Sequence, residues 1–292
     1  MKRKVLSIVL TAAMAVSVLA GCGSGADQTE VPAETSVKTE AAAETDAAAD
    51  DTDAAEDTVA TGGTFTVGFD QDFPPMGFVG DDGEFTGFDL EMAAEVAKRL
   101  NLEIAYQPIA WDAKDMELDA GTIDCIWNGF TMTGREADYE WTKPYMNNNQ
   151  VFVVRADSGI ASAADLAGKV VDVQADSSAE AALNDNTELS STFQIIPVAD
   201  YNTAFMDLEA GAVDAIAMDD IVASYQITSR GADFVVLSDV ISAEQYGVGF
   251  KKGNTELRDK VQATLEEMAA DGTAAEISIK WFGKDITTIN PL

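Results

Sequence analysis

Two hydrophobic periods alternate along the chain from about residue 63 onward. Thr64 to Phe69 places apolar side chains at every second position, the spacing of a half-buried strand. Leu90, Ala93, Ala94, Ala97 and Leu100 then recur every three or four residues and share one face of a helix that Asn101 can end. Leu102 to Gln107 reads as the next strand, and the β-branched runs Val151 to Val154 and Lys169 to Val173 read as two more. Leu257, Val261, Leu265 and Met268 form a helical stripe that stops before Gly272. Strands that alternate with helices predict an α/β fold with parallel sheets.

One phrase of this pattern is written twice. Trp111, Asp112, Leu118, Asp119, Ala120, Gly121, Ile123, Asp124 and Ile126 return as Tyr201, Asn202, Leu208, Glu209, Ala210, Gly211, Val213, Asp214 and Ile216, each pair offset by 90 residues. Asp112 and Asn202 are expected as helix N-caps, and Gly121 and Gly211 as left-handed C-caps, so each copy predicts a short helix, a tight turn and a buried strand. About 230 residues is large for one core and comfortable for two, which predicts two α/β lobes of related construction. Ligands of open parallel sheets bind beyond the carboxyl ends of the strands. After the first repeated strand come Asn128, Gly129, Thr131 and Arg135; after the second come Asp219 and Asp220. One lobe offers a guanidinium with hydroxyl and backbone donors, the other offers carboxylates.

The first 62 residues follow neither period. Lys2, Arg3 and Lys4 precede an uncharged run from Val5 to Leu19, shorter than the roughly 20 apolar residues of a spanning helix but suited to an export signal. The ending Leu19, Ala20, Gly21, Cys22 resembles the bacterial lipobox, which implies cleavage after residue 21 and a lipid on Cys22. Residues 22–62 are mostly Ala, Thr, Asp and Glu, too poor in apolar side chains to bury a core, and read as an acidic tether. A flexible chain of about 40 residues spans roughly 35 Å, more when its carboxylates repel.

The net charge is −33, and residues 61–292, with fourteen basic and forty acidic side chains, carry −26. Such a surface repels nucleic acid and anionic headgroups, so no nucleic-acid partner is expected. With Cys22 lipidated only Cys125 remains, in an apolar run that predicts a buried, inert thiol and no disulfide. The chain has no histidine and no nucleophile with a base at recognisable spacing, so no catalytic residue, metal site or cofactor is assigned.

Gly87, Phe88, Asp89, Leu90, Glu91, Met92, Val96, Ala97 and Leu100 match the signature of the extracellular solute-binding proteins for polar amino acids. Asp70, Phe73, Pro74 and Pro75, the run Gln245 to Phe250, and Lys280 to Gly283 resemble the same family. The similarity extends from Gly63 to Gly283. It implies a two-lobed type II periplasmic-binding-protein fold with a hinge: residues 63–149 and 247–292 in one lobe, 150–246 in the other, and crossings near Asn149–Val151 and Gln245–Gly247. It implies a monomeric receptor, held to the outer face of the cytoplasmic membrane by Cys22, that delivers a polar amino acid to a permease and its ATPase. A ligand-sensing domain and a dehydratase-type enzyme are the alternatives on this fold.

Carried over by position, Arg135 would hold the ligand carboxylate with Thr131 and the backbone of Gly129, although the loop between Thr131 and Arg135 is one residue shorter than is usual in the family. Asp219 would take the ammonium, with Asp220 as the alternative one residue on. Ser178 would add donors from the second lobe, and Phe73 and Trp111 would sandwich the ligand side chain. Asp70 and Asn128 would meet its polar end, an acid there favouring a ligand with donors such as Lys, Arg, ornithine or Gln.

Overall fold

The computed structural model describes residues 62–231 and 233–291. The signal segment, Cys22 and nearly all of the tether lie outside the described residues. In chain order the elements are β1 (Thr64–Phe69), β2 (Asp72–Phe73), β3 (Gly77–Val79), β4 (Phe85–Thr86), α1 (Phe88–Arg99), β5 (Glu103–Pro108), α2 (Lys114–Ala120), β6 (Cys125–Ile126), β7 (Glu140–Trp141) and β8 (Met146–Arg155). They continue with β9 (Val170–Gln174), α3 (Ser178–Asp185), α4 (Thr187–Ser190), β10 (Gln194–Val198), α5 (Tyr201–Ala210), β11 (Ala215–Asp219), α6 (Asp220–Arg230) and β12 (Phe234–Tyr246). The chain then returns through β13 (Gly249–Phe250), α7 (Thr255–Asp271) and α8 (Thr273–Phe282).

These elements build two five-stranded sheets, ordered β5-β1-β6-β13-β7 and β10-β9-β11-β8-β12. The expectation of parallel sheets holds for half of each. β1 runs parallel to β5 and β6, and β9 parallel to β10 and β11, but β8, β12 and β13 pair antiparallel. Parallel pairs need a helical crossover between strands, whereas β8 and β12 lie side by side and connect the two sheets directly. Their pairing from Met146↔Tyr246 to Gln150↔Ser242 makes the two crossings a continuous antiparallel ribbon.

The helices end where the glycines require. Gly121 and Gly211 close α2 and α5 at φ 75° and 71°, and Gly272 closes α7 at φ 88°. Asn101 follows α1 at φ 54°, a conformation its short polar side chain tolerates. The two expected N-caps are different. Trp111–Ala113 forms a 3-10 turn before α2, and no side chain caps that helix. Asp200 caps α5, accepting from the Thr203 amide at 2.8 Å, while Asn202 lies inside the helix and donates to Asp72 at 2.7 Å. Asp200 wins because its extended backbone, φ −151°, turns its carboxylate back over the first turn.

The predicted apolar faces are interior except at Ala94, Leu100 and Leu257, which are half-buried. Leu90, Ala93 and Ala97 of α1 pack with Phe65, Val67 and Phe69 of β1, and Val261, Leu265 and Met268 of α7 join the same cluster. A second cluster around Phe152, Val171, Val173, Ala215 and Leu183 fills the other sheet. Cys125 is wholly buried, and burial pushes its thiol well above the ordinary range, which keeps it protonated and unreactive.

Candidate functional site

The carboxyl ends of the parallel strands in both sheets face one cleft. It is narrow, and is lined by Phe73, Trp111, Asn128, Gly129, Thr131, Arg135, Gln174, Ser177, Ser178 and Asp219. Every sequence-predicted site residue within the described chain except Asp70 lies in this lining. Gln174 and Ser177 were not predicted for it. Ser177 is the N-cap of α3, accepting from the Glu180 amide at 3.1 Å, so its neighbour Ser178 opens the helix toward the cavity.

Arg135 reaches the cleft despite its shortened loop. Its Nη1 donates to the Thr131 carbonyl at 3.4 Å and its Nη2 to the Asp176 carbonyl at 3.2 Å, while its Cζ lies 5.5 Å from the Phe130 ring centroid. Among the described residues it forms no ion pair with Glu136 or Asp138. Arg135 and Asp219 are the one cation and one acid lining the pocket. They come from different sheets.

Gly129 has the backbone that makes this wall possible. Its φ is +56°, and a Cβ there would stand 2.9 Å from Phe73 Cε1 and 3.2 Å from Tyr246 Cε2. Its amide donates to Asp89 Oδ2 at 2.6 Å, and Tyr145 OH donates to the same oxygen at 2.8 Å. Asp89, in the first turn of α1, thereby ties the signature helix to the pocket floor. Burial raises its carboxyl to about 7, opposed by the bonds from Gly129 and Tyr145.

The acidic wall is denser than the sequence suggested. Asp219 Oδ1 accepts from Asn148 Nδ2 at 2.8 Å, Gln150 Nε2 at 2.7 Å and Tyr246 OH at 2.6 Å. The same two amide nitrogens donate to Glu244 Oε1 at 2.8 and 2.7 Å, and Thr131 Oγ1 donates to it at 2.8 Å. Asn148, Gln150, Glu244 and Tyr246 stand on one face of the β8–β12 ribbon, where Asn148 lies directly opposite Glu244. The signal available in the sequence was the two-residue alternation of Asn148 with Gln150 and of Glu244 with Tyr246. Asp220 begins α6 and lines a different surface groove, beside Thr133 and Glu244.

Asp70 stands behind the lining. Its Oδ2 accepts from Gln174 Nε2 at 2.6 Å and its Oδ1 from the Asp72 amide at 2.8 Å; its own amide donates to Asn128 Oδ1 at 3.1 Å. Burial raises its carboxyl to about 6. Gln174, which donates to Asp70, lines the cavity, whereas Asp70 does not. Several such bonds span the cleft: Gln174 to Asp70, Asn202 to Asp72, Lys114 to Asp176, and Thr131 Oγ1 to Ser178 Oγ at 3.2 Å. The two halves are drawn together around the pocket.

Two sheets joined by a ribbon, with a guanidinium and a carboxylate lining one cleft between them, define a hinged two-lobed binding protein of type II topology. The chain belongs to the bacterial extracellular solute-binding proteins of family 3, whose family model matches residues 65–284. It is 35% identical over 231 residues to the L-cystine-binding protein TcyJ of Escherichia coli (strain K12), covering 77% of this chain and 85% of that one. An ABC uptake transporter substrate-binding protein from Streptococcus pneumoniae with bound histidine superposes with a TM-score of 0.75 at 36% identity, over 77% of this chain and 94% of that one. The structure of Tv2483 bound to L-arginine gives 0.74 at 28% identity, over 77% and 93%. Among the described residues no helix is long and apolar enough to cross a membrane.

Proposed function

We propose that this protein captures a polar amino acid outside the cytoplasmic membrane, closes two lobes on it, and delivers it to an ABC permease. The observation that carries this reading is the single guanidinium and single carboxylate facing one pocket from opposite sheets. Cystine, histidine and arginine, the ligands named for the three relatives, share an α-carboxylate and an α-ammonium but differ in their side chains. Arg135 grips the shared carboxylate through a charge-assisted pair, helped by Thr131, Ser178 and the Gly129 backbone. Asp219 takes the ammonium. Phe73 and Trp111 flank the side chain, and Asn128 with the Gln174–Asp70 pair selects for its polar end. Closure is favoured because only a ligand that touches both lobes stabilises the closed state.

The lobes span 63–149 with 247–292, and 150–246, and the protein acts as a monomeric carrier rather than an enzyme, as its relatives are binding proteins. A thermal-shift panel of the standard L-amino acids with L-cystine and L-ornithine tests this. One of them at 100 times its Kd should add about 2.7 kcal/mol of stability, a rise on the order of 5 to 10 °C. A flat panel would overturn the reading.

The lipobox resemblance supports an anchor at Cys22. In the producing cell, Cys22→Ala should abolish acyl labelling and shift the protein to the medium or leave it unprocessed. Undiminished labelling would remove the anchor from this account.

A further inference from the structure

We infer that Glu244 is a further functional residue of this site, pairing with Asp219 so that the two carboxyls hold one proton between them and release it to solvent when a ligand ammonium docks. The inference rests on the reading of Asp219 given above. Its basis is geometric. Asn148 Nδ2 and Gln150 Nε2 each lie within 2.8 Å of both Asp219 Oδ1 and Glu244 Oε1, so the two acids share the same pair of donors at close quarters. Both acids are buried, 3% and 5% exposed, and neither has an ion-pair partner among the described residues. The amides turn their NH₂ groups to the acids while Asn148 Oδ1 and Gln150 Oε1 have no partner among the described residues. Two unneutralised charges so placed are costly, and one proton relieves them.

The proton belongs on Asp219. Beyond the two shared amides, Glu244 Oε1 collects Thr131 Oγ1 at 2.8 Å and Ser178 Oγ at 3.4 Å, whereas Asp219 adds only Tyr246 OH at 2.6 Å and faces the cavity. The other groups around Asp219 are Tyr246 on β12 and Tyr201 on α5, both of whose phenols burial holds well above their ordinary range, Arg135 across the pocket, and Asp220 next in sequence. Burial first, and Glu244 second, push the Asp219 carboxyl up to about 8. On docking, the Asp219 O–H bond breaks, its proton leaves to solvent, and the carboxylate pairs with the ligand N–H donors. One positive charge replaces another, so the cleft closes without burying additional net charge at this wall. An amino acid whose nitrogen is acetylated has no ammonium to make the exchange.

The experiment is calorimetric titration at pH 7 in phosphate and in Tris, using the amino acid other than histidine with the largest thermal shift in the panel. The difference in heat between the buffers should correspond to release of about one proton, and affinity should weaken about tenfold per pH unit from pH 8 down to 6. Glu244→Gln should lower the midpoint of that pH dependence and shrink the proton release, and Glu244→Asp should restore it. Identical heats in both buffers for the parent protein, which need no variant, overturn the inference; so does a Glu244→Gln variant that releases as much proton as the parent. If the heats are identical but Asp219→Asn has lost binding, the ammonium site stands and only the exchange falls. If Asp219→Asn binds as the parent does, the site assignment itself fails.

Discussion

Asp219→Asn and Arg135→Ala should each bind the panel's best amino acid at least about thirtyfold more weakly than the parent, a loss on the order of 2 to 5 kcal/mol. Each removes one partner of a charge pair formed inside a closed cleft and leaves the ligand's remaining charge buried and unpaired. Asp220→Asn should bind normally, because Asp220 starts α6 and lines a separate groove. Thermal denaturation of Arg135→Ala should stay close to the parent's, since this side chain lines the cleft and meets the apolar interior only at the Phe130 ring. Calorimetric titration of the three variants decides the matter. Normal binding by Arg135→Ala would move the carboxylate site elsewhere in the cleft, and failure of Asp220→Asn beside a normal Asp219→Asn would shift the ammonium site by one residue.

The ligand-free protein should be most stable in mildly acidic solution and should lose stability from about pH 5 to 8. Burial raises Asp70 to about 6 and Asp89 to about 7, and raises Asp219 as well. The folded chain therefore keeps protons that the unfolded chain has already lost. That contribution is fully present below the unfolded carboxylate range near pH 4 and disappears as pH rises through the folded values. Self-repulsion among forty acidic and fourteen basic side chains in residues 61–292 acts in the same direction. The combined loss should be a few kcal/mol, on the order of 10 °C in Tm. Calorimetric melting at constant ionic strength from pH 4 to 9 measures it, and Asp89→Asn should flatten the segment between pH 5 and 7. A Tm that climbs from pH 5 to 8 would refute the assignment.

Local features were legible in the chain because their physics is local. The apolar faces of α1 and α7, the glycine ends of α2 and α5, and the repeated strand after each follow from periods and turn residues a few positions apart. The pocket lining from Asn128 to Arg135 and at Asp219 was legible because it follows strands whose carboxyl ends must open on a cleft. The same reasoning misplaced the N-cap of α5. Asp200 and Asn202 are both cap-type residues two positions apart; the repeat named Asn202, and the backbone angle selects Asp200.

The acidic wall belongs to the tertiary structure. Asn148 and Gln150 meet Glu244 from 96 and 94 residues away, through the antiparallel pairing of two segments that the family resemblance implied only as crossings. Alternation shows that such residues share a strand face, but not that this face abuts Asp219. Asp70 presents the same limit in reverse. The family resemblance pointed it at a ligand, but Gln174, 104 residues on, donates to its carboxylate and lines the pocket in which Asp70 has no part. Sequence period therefore determined the elements and the ends that carry the site. Which buried charges share donors there was decided by long-range strand pairing, because burial and proximity, rather than residue type, set what a carboxyl does.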